Sequence, residues 1–174
     1  MHRKTSPSRG LFLVAALALA GLWAAPALAL KVGDPAPSFK AARLDGAGQF
    51  VLADMHGKVV LVDFWASWCG PCQKSMPQFD ALQKEFPSDR FVVVGVNVDK
   101  DTGAAKKALE KRPVSYLIAS DPSGMLPSRY GLETMPTAYL IDGDGAVRYV
   151  HRGFREGDVE KLKEQIQKLL AEKK

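Results

Sequence analysis

Residues Val59 to Trp65 form an almost unbroken apolar, β-branched run, and it leads directly into Trp68-Cys69-Gly70-Pro71-Cys72. Such a run is the pattern of a central strand buried on both faces. From about Cys72 to Phe86 the apolar residues Met76, Phe79, Leu82 and Phe86 recur on one face of a helix. The two cysteines, the only ones among 174 residues, therefore stand at a strand-to-helix junction. Two thiols three positions apart at such a junction can cycle between dithiol and disulfide. The first helical turn leaves one sulfur exposed and brings the other within bonding reach behind it.

The amino terminus reads differently from the rest. His2, Arg3, Lys4 and Arg9 are followed by the apolar run Leu11 to Ala25, by Pro26, and by the small-x-small site Ala27-Leu28-Ala29. This is the pattern of a secretory signal peptide, residues 1–29, with cleavage after Ala29. The competing reading is a membrane anchor, because Leu11 to Leu30 carries no charge and about 20 apolar residues span a bilayer. No cysteine stands at the cleavage site to take a lipid. Removing residues 1–29 takes three of the 24 Lys/Arg and none of the 19 Asp/Glu, which leaves a net charge of +2. The basic balance of the whole chain is thus partly a property of the leader and gives no argument for nucleic acid. Residues 30–174 suit one domain with a full core, which needs no disulfide for stability. In an exporting route disulfides persist, so a spare Cys-X-X-Cys points to redox chemistry.

Further strands are expected at Phe39 to Leu44 and Gln49 to Leu52, flanking the turn cluster Asp45-Gly46-Ala47-Gly48 as a hairpin. Others are expected at Phe91 to Val98, Tyr116 to Ala119, Thr137 to Ile141 and Val147 to Arg152. Helices are expected over Thr102 to Lys111, over Gly124 to Tyr130, and at the end of the chain, where Val159, Leu162, Ile166 and Leu169 recur every three or four residues. Pro77 predicts a kink in the helix after the cysteines. The order predicts an α/β fold with a central mixed sheet flanked by helices.

Val62-Asp63-Phe64-Trp65-Ala66-Ser67-Trp68-Cys69-Gly70-Pro71-Cys72, Pro77 and Thr134-Met135-Pro136-Thr137 resemble the landmarks of the thioredoxin superfamily. The leader, the hairpin with Val32-Gly33-Asp34-Pro35-Ala36-Pro37 ahead of it, and a helix–strand element inserted between Asp99 and Pro122 resemble its exported TlpA/ResA-like branch. The resemblance runs from about Val32 to Leu170. It implies a thioredoxin fold and a periplasmic thiol–disulfide oxidoreductase in which Cys69 is the nucleophile and Cys72 resolves the mixed disulfide. At a helix amino terminus the Cys69 thiolate gains from the dipole and unpaired N–H groups. The resemblance also implies a cis Pro136 facing the cysteines, with the Met135 backbone pairing with substrate as an added strand. Trp68, Gly70 and Pro71 would border the same substrate site. Asp63, in the middle of the buried strand, would act as base toward Cys72; its alternative is a hydrogen-bonded structural aspartate. Two positions depart from the pattern: Gly95 replaces a lysine common beside this aspartate in thioredoxins, and Ser75 replaces a glutamate frequent in ResA-like proteins.

Gly70-Pro71 is the dipeptide of reducing thioredoxins, which implies a reductant of oxidised protein cysteines. Apocytochrome c and copper-site assembly proteins are the substrates the family suggests. A reductant outside the cytosol implies a membrane protein as electron donor. The dithiol itself needs no cofactor, and a monomer is expected. The rivals are a copper-binding assembly chaperone using Cys69 and Cys72, and a disulfide oxidant or isomerase of the same fold. A zinc site would need more ligands than His56 and His151 offer, and haem attachment would need His where Gln73 stands. A peroxiredoxin is disfavoured because its Pro-x-x-x-Thr-x-x-Cys element is absent. Asp142-Gly143-Asp144-Gly145 reads as a hairpin turn, not a calcium loop.

Overall fold

The computed structural model describes residue 2 and residues 29–172. The expected leader, apart from His2 and Ala29, lies outside the described residues. The strands are β1 (Lys40–Arg43), β2 (Gln49–Val51), β3 (Val59–Trp65), β4 (Phe91–Asn97), β5 (Leu117–Ser120), β6 (Thr137–Ile141) and β7 (Val147–Arg152). The helices are α1 (Gly70–Glu85), α2 (Thr102–Lys111), α3 (Met125–Arg129) and α4 (Asp158–Glu172), and a 3-10 turn covers Leu52–Met55.

All seven strands join one mixed sheet in the order β2-β1-β5-β4-β3-β6-β7. Its centre, β3–β4–β5, is parallel, and β6 runs antiparallel against β3. The β1–β2 hairpin attaches through an antiparallel pairing of β1 with β5. Every residue of β3 is buried, as its continuous apolar run demands, so its alternating side chains feed two separate cores. Leu61 and Trp65 pack with Met76, Phe79 and Leu82 of α1, Ala105 of α2, and Leu162, Ile166 and Leu169 of α4. Val60, Val62 and Phe64 pack with Phe39, Phe50, Leu126 and Tyr130 under the hairpin and α3.

The expected element order holds, with three adjustments. Helix α1 begins at Gly70 and not at Cys72, because Pro71 falls in its first turn, where a missing N–H costs nothing. Strand β5 is displaced by one residue toward Ser120. The hairpin's second strand stops at Val51, after which the chain turns through Leu52–Met55. Pro77 lies on the exposed side of α1, which continues past it to Glu85. At the far edge of the sheet, the segment leading into the domain runs along β7: Gly33 N–H donates to the Val147 carbonyl at 2.8 Å, and Val147 N–H to that of Asp34 at 2.9 Å.

Candidate active site

The chain leaves the carboxyl end of β3 and must turn at once into α1, and a buried carboxylate holds that turn. Asp99, 4% exposed, accepts from the Ser67 N–H at 2.8 Å, the Ser67 hydroxyl at 3.0 Å and the Asn97 side-chain amide at 2.8 Å. The Gln73 side chain donates back to the Ser67 carbonyl and accepts from Arg112. Neither Asp99 nor Arg112 was expected at the site from sequence. Asp99 lies 32 residues from Ser67, and only the parallel β3–β4 pairing brings the two strand ends together.

Beyond this turn Cys69 is the N-cap of α1, and its sulfur accepts from the Cys72 N–H at 3.3 Å. The two cysteines are joined as a disulfide. Cys69 retains 6% exposure while Cys72 has none, so an incoming sulfur can reach the first and not the second. Trp68, beside it, is 70% exposed, whereas Trp65 is fully buried in the core. The Met135–Pro136 peptide is cis, as expected. Thr137 braces that loop by donating its hydroxyl to the Thr134 carbonyl at 2.8 Å, and Gly153 N–H donates to the Pro136 carbonyl at 2.8 Å.

A groove of about 490 Å³ brings these elements together. Trp68, Cys69, Gly70 and Pro71 line one side, and Leu132, Glu133, Thr134 and Met135 the other. Pro136 is buried and outside this lining; it shapes the loop from behind while Met135 faces the groove.

Asp63 is wholly buried, and neither carboxyl oxygen has a hydrogen-bond partner among the described residues. It shares one face of β3 with Leu61 and Trp65, so its side chain lies in the core that contains Cys72 and α1. Burial alone pushes its carboxyl well above the usual range. Its ladder partners are Gly95 on β4 and Ala138 on β6. Ser75 is also buried, and its hydroxyl donates to the Cys72 carbonyl at 2.9 Å. Asp142, by contrast, caps its own turn and pairs with Arg148 at 3.0 Å.

The Redoxin family profile matches residues 31–166. The chain belongs to the Redoxin family. It is 31% identical over 140 residues to the thiol-disulfide oxidoreductase ResA of Bacillus thuringiensis subsp. konkukian, covering 80% of this chain and 79% of that one. It is 33% identical over 127 residues to the thioredoxin-like protein YneN of Bacillus subtilis, covering 71% of this chain and 73% of that one. A crystal structure from Chlorobium tepidum, of a protein assigned as a thiol:disulfide interchange protein DsbE, superposes with a TM-score of 0.78. It shares 44% identity and covers 82% of this chain and 99% of its own. This Redoxin-family protein therefore has a thioredoxin-like fold and is a TlpA/ResA-like thiol–disulfide oxidoreductase.

Proposed function

We propose that this oxidoreductase acts outside the cytosol as a reductant of protein disulfides, with Cys69 as nucleophile, Cys72 as resolving thiol and Asp63 as proton acceptor. The observation that carries the reading is the unequal exposure of the two sulfurs within the groove they share with Met135. In the dithiol form the Cys69 thiolate attacks one sulfur of a substrate disulfide. That step forms a mixed disulfide and releases one substrate thiolate, which takes from solvent the proton that Cys69 gave up on ionising. Cys72 then yields its proton to Asp63, and its sulfur attacks Cys69. The Cys69–Cys72 disulfide forms, and the second substrate thiolate leaves and takes up the proton. Two electrons and two protons pass to the substrate. The Met135 backbone pairs with the extended substrate chain in the groove, and Trp68, Gly70 and Pro71 form its other wall.

Cleavage after Ala29 would free Leu30, whose N–H donates to the Tyr130 carbonyl at 3.4 Å. Mass spectrometry of protein from its native host should find Leu30 at the amino terminus; an intact leader in the membrane fraction would make this an anchored enzyme. A membrane protein recharges the dithiol, and cytochrome c or copper-protein maturation is the setting. A copper titration of the reduced protein separates the oxidoreductase from the copper chaperone.

The test is trapping. Cys72→Ser should accumulate a mixed disulfide through Cys69 when mixed with oxidised substrate protein, because attack proceeds and resolution does not. Cys69→Ser should trap little. Equal trapping by both variants would sink the assignment of roles.

A further inference from the structure

Three buried polar side chains around one point of the sheet lack hydrogen-bond partners among the described residues. They are both carboxyl oxygens of Asp63, Nε1 of Trp65 and the hydroxyl of Tyr116. Leaving such groups unmet costs about 1–3 kcal/mol each, and three together in a well-packed core call for a common purpose.

Gly95 marks where the Trp65 and Tyr116 side chains meet, and its ladder partner is Asp63. A Cβ at this position would lie 3.1 Å from Trp65 Nε1, 3.2 Å from Tyr116 Cε2 and 2.8 Å from Ile118 Cδ1. Two aromatic rings thus close over the backbone of Gly95, which is the ladder partner of Asp63. Neighbouring strands lie only about 4.8 Å apart. A lysine at 95 has no room, since the space it would need is filled by an indole and a phenol. Tyr116 is 6% exposed and lines the cleft between α2 and β5, yet its hydroxyl is buried, so the hydroxyl end turns inward. The preceding residue is fixed to α1: Asp80 accepts from both the N–H and the hydroxyl of Ser115 at 2.6 Å.

We propose that Asp63, Trp65 and Tyr116 form a water-binding site, in which one bridging water links the Asp63 carboxyl to the indole N–H and the phenol, making Tyr116 a positioning residue for Asp63. A buried water needs two to four polar partners, and this cluster offers that number. The site rests on the reading of Asp63 as the proton acceptor for Cys72. It gives that carboxylate neutral hydrogen-bond donors where the common arrangement has a cation, so its charged form is favoured without a salt bridge. Other titratable groups facing this core include Cys72 and Asp80 on α1 and Tyr149 and His151 on β7. His151 is paired across the ladder with Ala138, the neighbour of Asp63. Asp63 in turn adds to the burial that holds the Tyr116 hydroxyl protonated.

The experiment follows the Asp63 carboxyl by carbon NMR through a pH titration, in the full chain and in Tyr116→Phe, which keeps the ring and removes the hydroxyl. Losing a donor to the charged form should raise the Asp63 midpoint by about one pH unit. The pH profile of mixed-disulfide resolution should move up by the same amount. An unmoved midpoint in folded Tyr116→Phe overturns the site. A second measurement needs no change at Tyr116: its ring-carbon signal should titrate with the Asp63 midpoint and lose that inflection in Asp63→Asn. A Tyr116 signal blind to Asp63 also overturns the site. If the midpoint moves but Asp63→Asn resolves mixed disulfides at the normal rate, the water site stands and Asp63 is not the base.

Discussion

The backbone N–H and the hydroxyl of Ser67 both donate to the Asp99 carboxylate, at 2.8 and 3.0 Å, so one side chain at the end of β4 holds the turn that presents Cys69. The same carboxylate accepts from Asn97. Asp99→Ala strands three donors in a nearly closed environment. The expected loss is roughly 1–3 kcal/mol of stability, read from urea unfolding of the oxidised protein. Mixed-disulfide formation through Cys69 should slow in parallel, because the turn that aims the sulfur loosens. A change within about 0.5 kcal/mol, the range of ordinary surface substitutions, would show that Asp99 does not hold the turn.

Asp63→Asn separates chemistry from stability. Burial raises the Asp63 carboxyl above its unfolded value of about 3.9. The folded state then binds the proton more tightly than the unfolded state, so stability falls as pH rises from about 4 through the raised folded value. The amide carries no charge at any of these pH values. The variant should therefore gain on the wild type as pH increases, while resolving mixed disulfides more slowly at neutral pH. Parallel stability curves for the two proteins across that range would contradict the linkage.

Gly95→Ala should be destabilising although alanine is small and glycine in a strand is normally a weak choice. The new methyl would meet Ile118 Cδ1 at 2.8 Å, and two rigid aromatic groups bar its retreat on the other sides. Overpacking of this kind costs about 1–3 kcal/mol. Thermal unfolding measures it, and an unchanged or raised midpoint would mean that Ile118 simply turns aside.

The direction of electron flow is set by the reduction potential. With Gly70-Pro71 between the cysteines, equilibration with a glutathione buffer should place it nearer thioredoxin, at about −270 mV, than the strong oxidant DsbA, at about −120 mV. That gap corresponds to about 7 kcal/mol for two electrons, so the outcomes are well separated. A value above about −180 mV, that of protein disulfide isomerase, would replace the reductant with an oxidant or isomerase.

The parts of the molecule legible in the sequence were those whose signal is local. Val59–Trp65, Thr102–Lys111, Thr137–Ile141 and Val147–Arg152 fall where periodicity and turn residues put them. The Cys69–Cys72 pair and Pro136 announce themselves through short motifs. What stayed hidden depends on register. Nothing near Asp99 in the chain reveals that it reaches Ser67, and nothing near Tyr116 reveals that its ring meets the Trp65 indole over Gly95. The replacement of lysine by Gly95 was visible as a letter. Its cause, an indole and a phenol meeting over the strand, needed the sheet to be assembled. The cis peptide expected before Pro136 is present, and Met135, just ahead of it, lines the groove beside Cys69.

The strap formed by Gly33 and Asp34 along β7 has a consequence for life among half-folded chains. An open sheet edge can pair with the edge of another copy, and such edges seed aggregation. Here the start of the outer edge, at Val147 of β7, is already occupied by the chain's own leading segment, and the opposite edge, β2, offers only three residues. The rims of the sheet thereby offer a foreign strand a shorter stretch of backbone to pair with.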